Sequence, residues 1–345
     1  MKTDFRNLTF EEIQALCKSL SLPGYRAGQI FSAVFKTDAI CEITTLSKEL
    51  RETLSEHYYI GTLTCQEKQV SKKDGTVKFL FCLSDGSLIE SVFMRYHHGN
   101  TLCVSTQVGC AMGCAFCAST IGGKVRNLSA AEILEQILAA EKETGEKISN
   151  IVMMGIGEPL DNYDNTVKFL RLVSAGEGLN IGLRHISVST CGVVPKIYEL
   201  ASLNLPITLS VSLHAPFNDL RSEIMPINKK YPLETLTAAM THYIQKTNRR
   251  ISIEYALIRG KNDSTACADK LAKLFSGGLY HINLIPVNNV RERDFKKTEK
   301  QHVAAFLKRL AERGLNATVR RELGSGMRTA QEKSSTHRNR HKLTR

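Results

Sequence analysis

From Thr101 to Gly314 the sequence alternates short apolar runs with amphipathic runs of helical period, and that alternation restricts what the chain can fold into. The runs "TLCVSTQ", "NIVMMG", "RHISVST", "ITLSVSL", "ISIEYALI" and "HINLIPV" read as strands. Between and after them lie helical runs such as "SAAEILEQILAAEKETG", where Ser129 is placed to cap, Glu132 to complete a capping box, and Ile133, Leu134, Ile137 and Leu138 to form the buried stripe. Six strand–helix units of this kind predict an α/β fold with a parallel sheet, open or curled into a (β/α) barrel. In either form the chemistry belongs in the loops after the strands' carboxyl ends.

Ahead of this region the chain reads differently. "LTFEEIQALCKSLSL" places Phe10, Ile13, Leu16 and Cys17 on one helical face, with Thr9, Glu11 and Glu12 at its start. "QIFSAVFK" and "TLSKELRETLSEH" read as two further short helices. "TVKFLFCL" and "SLIESVFMRY" follow as strands around the turn "SDG". The expected organisation is a helical accessory domain over 1–75, a barrel with its preceding strands over 76–324, and a basic flexible tail over 325–345. That tail carries Arg328, Lys333, Arg338, Arg340, Lys342 and Arg345 against the single acid Glu332.

Net charge is +12, which favours polyanionic partners, nucleic acid first among them. No apolar run reaches the roughly 18 residues of a membrane span, and "MKTDFRNLTFEEIQ" lacks the basic-then-apolar order of a signal peptide. A cytoplasmic setting is therefore expected, one in which clustered thiols hold metal more often than they form disulfides.

Four of the ten cysteines lie in "CVSTQVGCAMGCAFCAST". Cys110, Cys114 and Cys117 are spaced C-x3-C-x2-C in the loop directly after the first parallel strand. A structural zinc takes four ligands, and no second C-x2-C or H-x3-H pair follows. Iron–sulfur clusters are also held by thiolates, usually four, so three would leave one iron open. Packing as small hydrophobes is the bland alternative, against which stand Gly109, Gly113 and the loop position.

C-x3-C-x2-C after the first strand of a partial (β/α) barrel resembles the signature of radical S-adenosylmethionine (SAM) enzymes. The phrases "TLCVSTQVGCAMGCAFCAST", "VMMGIGEPLDN", "ISVSTCGVVP", "VSLHAP", "MPINKKYP" and "INLIPVN" resemble, in order, the RlmN/Cfr family of adenine methyltransferases acting on large-subunit ribosomal RNA. The resemblance runs from "PGYRAGQIF" to about Gly324. It implies a radical SAM partial barrel with a 4Fe–4S cluster on Cys110, Cys114 and Cys117. In that superfamily the open iron chelates the amino and carboxylate groups of SAM, and an electron from the cluster releases methionine and a 5′-deoxyadenosyl radical. It also implies RNA as substrate (ribosomal, with transfer RNA as a second candidate), an electron donor such as flavodoxin, and a monomer.

Further roles carry across by position. Gly157 and Glu158 match the family's SAM-binding pair, a glycine for close backbone approach and a carboxylate for the α-ammonium. Ser189, Ser212, Leu213, His214 and Asn288 match other SAM contacts. Glu90, a carboxylate inside the strand "LIESVFM", matches the proposed proton acceptor, and apolar burial would raise its pKa into a useful range. Cys103 matches a cysteine that is no cluster ligand and helps resolve the covalent intermediate. Pro159 and Pro286 resemble the RlmN branch, and so favour C2 over C8 of adenine.

At one point the chain departs from the family. Its members first methylate a carboxyl-terminal cysteine, in a segment resembling G-D-D-I-D-A-A-C-G-Q-L, and the radical then activates that methyl group. Here the segment reads "RRELGSGMRTAQEKSS", which puts Gln331 at the acceptor position, and no cysteine follows Cys267. An amide is no nucleophile and forms no thioether. Three explanations stay open: another carrier such as Cys103, SAM cleavage without methyl transfer, or an altered carboxyl terminus on an otherwise working enzyme.

Overall fold

A computed structural model describes residues 2–286, 297–321 and 323–324. The amino-terminal module comprises β1 (Thr3–Asp4), α1 (Phe10–Ser19), α2 (Tyr25–Val34), α3 (Lys48–His57) and β2 (Tyr58–Tyr59). Thr9 and Glu12, expected at the start of α1, form a capping box there. β1 and β2 pair in parallel, Thr3 opposite Tyr58.

Next come β3 (Thr64–Val70), β4 (Val77–Cys82), β5 (Leu88–Tyr96) and β6 (Gly99–Cys103), an antiparallel run. A short hairpin of β7 (Gln107–Gly109) and β8 (Lys124–Asn127) leads into α4 (Ala130–Thr144). The alternation then continues through β9 (Asn150–Met153), α5 (Tyr163–Ser174), β10 (Ile186–Thr190), α6 (Val194–Ser202) and β11 (Thr208–Ser212). After β11 come α7 (Asn218–Ile224), α8 (Leu233–Thr247), β12 (Ile251–Leu257), α9 (Thr265–Phe275), β13 (Tyr280–Pro286), α10 (Lys300–Glu312) and β14 (Ala317–Val319). One ten-stranded sheet results, in the order β14-β13-β12-β11-β10-β9-β6-β5-β4-β3. From β6 through β14 every pairing is parallel. The two end strands do not pair with each other, so the barrel is partial, as expected.

Side-chain alternation decides which face is which. Ile251, Ile253, Tyr255 and Leu257 of β12, with Leu209 and Val211 of β11, are buried in the main core with residues of the flanking helices. The intervening Ser210, Ser252 and Glu254 line the opposite, concave face. The sheet curls enough that Arg320, just past β14, comes within 3.7 Å of Met154 Sδ, just past β9. Among the described residues no helix is long and apolar enough to cross a membrane.

The strand Thr64–Val70 lies inside the stretch that the sequence reading assigned to the helical module. Its polar run "TCQEKQV", alternating only between exposed and half-buried, carries no apolar period to betray an edge strand. The helices end at His57, ahead of it. Gln331 and the tail beyond Gly324 lie outside the described residues.

One buried ion pair ties the module to the barrel. Arg6, on the turn after β1, pairs with Glu135 of α4, and both side chains are almost fully buried. Arg6 also donates to the carbonyls of Val34 (2.6 Å), Thr37 (2.7 Å) and Gly61 (2.8 Å). Breaking such a pair from one side leaves a charge without compensation. Arg6→Met is expected to cost about 3–5 kcal/mol of stability, and Met at both positions to recover part of it. Urea unfolding of the two variants checks this, and an Arg6→Met protein as stable as the parent would exclude the pair as the anchor.

Candidate active site

The cysteine loop is shaped at its base by backbone geometry. Gly109 has φ +73°, and a Cβ there would lie 1.9 Å from the Gly123 carbonyl oxygen, so only glycine closes the β7–β8 hairpin. Across it the Cys110 N–H donates to Gly123 O (3.0 Å), and the Ala115 N–H donates to Ile224 O at the end of α7 (2.8 Å). The loop is thereby fastened both to its own hairpin and to α7.

Cys110, Cys114 and Cys117 line one cavity of about 370 Å³ at the carboxyl ends of the strands. Gly157, Glu158, Ser189, Ser212 and His214 line it too, together with Phe116, Cys191, Glu254 and Arg320. Sequence positions spread over more than a hundred residues therefore converge. Leu213 does not line the cavity: its side chain is fully buried in the core, and only its backbone stands at the strand end. Asn288 lies outside the described residues.

Burial pushes the Cys110 thiol up to about 11 and that of Cys114 to about 12, with neighbouring cysteines and Glu158 adding to the effect. Two thiols this desolvated ionise only against positive charge, which is what iron supplies to thiolate ligands. Among the described residues no three His, Cys, Asp or Glu side chains converge as they would on a single ion. Three cysteine donors lining one cavity suit a thiolate-held iron–sulfur cluster with one iron left open, whereas a structural zinc takes four ligands.

Glu158 is buried, and its carboxylate accepts from the backbone N–H of Leu160 (2.9 Å) and of Cys191 (2.7 Å). Desolvation raises its pKa, and these backbone bonds hold it down. The side chains of Cys191 and Thr190 also lie within hydrogen-bonding reach of the carboxylate. Gly157, at φ +107°, carries the loop against β7: a Cβ there would lie 2.7 Å from Gln107 Cβ and 2.8 Å from Thr106 Oγ1. Among the described residues that buried Thr106 hydroxyl has no hydrogen-bond partner.

His214 has the left-handed backbone φ of +56°, uncommon for a residue with a side chain. The Ala256 N–H donates to its Nδ1 (2.9 Å), and Asn262 Nδ2 donates to its carbonyl oxygen (2.6 Å). Burial and the Arg221 cation pull its pKa down to about 3. The ring is therefore neutral, with the proton on Nε2, and it stands edge-on to Phe116 (4.7 Å between centroids).

Glu90 and Cys103 do not line the cavity. They occupy neighbouring strands of its side wall, with Val92 opposite Cys103 and Glu90 two residues along on the same face. The apolar burial expected for Glu90 is not what the structure shows. The carboxylate is half-buried, with Lys78 Nζ 3.0 Å away, because the diagonal position on β4 holds a lysine. Burial raises the pKa of Cys103, and Arg320 offsets part of that.

Three site residues escaped the sequence reading. Glu254, 3% exposed, accepts from Ser252 Oγ (3.0 Å) and Asn283 Nδ2 (2.8 Å). It is a carboxylate inside "ISIEYALI", the same signal that singled out Glu90. Arg320 reads in sequence only as one of a basic pair. Arg221 sits on the short helix "NDLRSEI", whose polar composition hides that it is fully buried.

With the geometry described, the relatives can be compared. The model of the Radical SAM superfamily matches residues 104–269. A curated protein from Lachnospira eligens, named "Probable dual-specificity RNA methyltransferase RlmN", is 50% identical over 324 residues, covering 93% of each chain. One of the same name from Clostridium tetani is 53% identical over 307 residues, covering 89% of this chain and 88% of that one. The solved structure of a radical SAM methyltransferase from Sphaerobacter thermophilus superposes with a TM-score of 0.88 at 42% identity, covering 93% of this chain and 96% of that one.

The tight seat of Gly157 gives a test that needs no cofactor. Gly157→Ala must push the loop off β7, at a cost of about 1–3 kcal/mol from overpacking alone, and more from the positive φ. Chemical unfolding of the purified variant measures it. A variant of unchanged stability would show that the loop yields freely.

Proposed function

The chain belongs to the RlmN family of radical SAM RNA methyltransferases, and from that premise we propose that it binds a 4Fe–4S cluster on Cys110, Cys114 and Cys117, cleaves SAM, and acts on adenine in RNA. The observation that carries the reading is the convergence of the three thiols, the Gly157–Glu158 loop and His214 on one cavity. When bound, the cluster supplies the electron that splits SAM into methionine and a 5′-deoxyadenosyl radical. Around it the Gly157 loop, seated against β7, carries the Glu158 carboxylate into the cavity, where it faces SAM's ammonium. His214 presents a neutral Nε2–H, and Ser189 and Ser212 offer hydroxyls from the ends of β10 and β11.

The substrate position favoured is C2 over C8, because Pro159 and Pro286, the residues that resemble the RlmN branch, both line the cavity. The RNA is 23S ribosomal RNA, with transfer RNA as second substrate, a pairing that the relatives' dual-specificity name supports. Glu90 serves as proton acceptor for the adenine carbon, with Lys78 Nζ 3.0 Å from its carboxylate. The helical module contacts RNA, a carrier such as flavodoxin delivers the electron, and the enzyme works as a monomer in the cytoplasm.

A second reading rests on the missing carrier thiol: SAM is cleaved, but the methyl group has no cysteine to ride on. Cys103 is a poor substitute, since burial keeps it a protonated thiol at neutral pH, and the thiolate is the nucleophile.

Two measurements test these readings. Anaerobically reconstituted protein is expected to hold iron and sulfide and to absorb broadly in the visible, and Cys→Ala at 110, 114 or 117 to abolish both. Stoichiometric zinc without sulfide would sink the cluster. Incubation with SAM, reductant and RNA is expected to yield 5′-deoxyadenosine with little methylated adenine, and methylation to return when a family-like segment replaces Ser325 to Lys333. Robust methylation by the unaltered chain that also survives Cys103→Ala would refute both the lost-carrier and the substitute-carrier accounts.

A further inference from the structure

Arg221 is fully buried on α7, and among the described residues no carboxylate pairs with it. Its donors are spent on neutral acceptors instead. Nε donates to Leu213 O (3.1 Å), Nη1 to Asn228 Oδ1 (3.0 Å), and Nη2 to Cys191 O (2.8 Å) and Ser212 O (3.2 Å). A guanidinium stays protonated, and a buried cation without a counter-ion is costly. Bonds to carbonyl dipoles offset part of that cost but supply no negative charge.

The surroundings show where the missing charge belongs. The acidic groups within electrostatic reach of Arg221 are the thiols of Cys191 and Cys114. Cys114 lies in the cysteine loop, and its neighbour Ala115 bonds to Ile224 of the same helix that carries Arg221. His214, the other titratable group facing Arg221, is kept neutral. Glu158 reaches the same Cys191 from its N–H side and is engaged with the backbone of Leu160 and Cys191, with no hydrogen bond or ion pair to Arg221 among the described residues. A cluster on three thiolates is anionic, and each added electron makes it more so.

We propose that Arg221 is the built-in counter-charge of the cluster, a fixed buried cation that stabilises the reduced state and so raises the cluster's reduction potential. This rests on the cluster reading above. Arg221 is a positioning residue as well, because the same fork draws together the ends of β10 and β11. The two roles separate experimentally: the fork needs a guanidinium, whereas the potential needs only positive charge.

Wild type, Arg221→Lys and Arg221→Met are reconstituted anaerobically, assayed for iron and sulfide per chain, and titrated for midpoint potential by electron paramagnetic resonance. The Lys variant is expected to stay near the wild-type potential, and the Met variant to shift to a more negative one. Should the Met variant fail to fold, Asn228→Asp keeps Arg221 and places a carboxylate on its Nη1 contact, with the same negative shift expected. Charge-neutralised variants that hold a full cluster at the wild-type potential would overturn the inference and leave the cluster reading intact. Equal shifts in the Lys and Met variants would also overturn it, by assigning the effect to the lost hydrogen bonds. A wild type that takes up neither iron nor sulfide would overturn both.

Discussion

Where the parallel strands stop, their backbone N–H and C=O groups lose their ladder partners inside a cavity that water alone does not fill. Each such group left unpaired costs about 1–3 kcal/mol. Buried side chains meet that demand. Glu158 takes the N–H groups of Leu160 and Cys191, and Gln107 takes that of Glu158. Asn162 donates to Thr106 O and Leu128 O, Asn262 to His214 O and Ala256 O, and Arg221 to three further carbonyls. The floor of the site is thus a set of side chain–backbone bonds, and the loops keep their places only while these hold. Loss of any one orphans two or more partners, and the cavity would lose shape before the sheet lost its register.

The same helix that follows the cysteine loop receives the amino-terminal module. On α4, Glu135 meets Arg6, the Ala131 N–H donates to Asn7 Oδ1, and Gln136 exchanges hydrogen bonds with the backbone of Ser105. Ser91 on β5 donates to that same glutamine. The module, the strand bearing Glu90 and the start of the cysteine loop are therefore braced on one helix.

Periodicity and caps made the strand–helix alternation legible, down to the helix start at Thr9 and the capping box at Ser129. The cysteine spacing pointed to the loop. Resemblance, rather than pattern, supplied Ser189 and Ser212, since an isolated serine in an apolar strand has no signature of its own. What stayed hidden were residues whose importance is three-dimensional. Arg221 is drawn inward by carbonyls contributed from two other strands, and an arginine on a short polar helix reads as solvated. Glu90 misled in the opposite sense: an acid in an apolar strand suggests burial in oil, but the cross-strand neighbour Lys78 is set by register, which no single segment discloses.

Glutamine at position 331 stands where the family's acceptor nucleophile is expected. Among the described residues, the hydrogen bonds that shape the cavity floor come from residues at or before Arg320. Arg320 itself ends the sheet with its N–H on Leu284 O and its guanidinium against Met154. The chain past that point contributes the carrier in the family, a role that asks for sulfur chemistry rather than for packing. A buried bonding network and a methyl carrier are separable demands on a sequence, because the first is met by burial and hydrogen-bond geometry and the second by the nucleophilicity of a single sulfur. That division sets the functional question for this chain: three thiols and the Gly157–Glu158 loop converge on one cavity, while the carboxyl-terminal segment departs from the family's and has glutamine where its acceptor cysteine is expected.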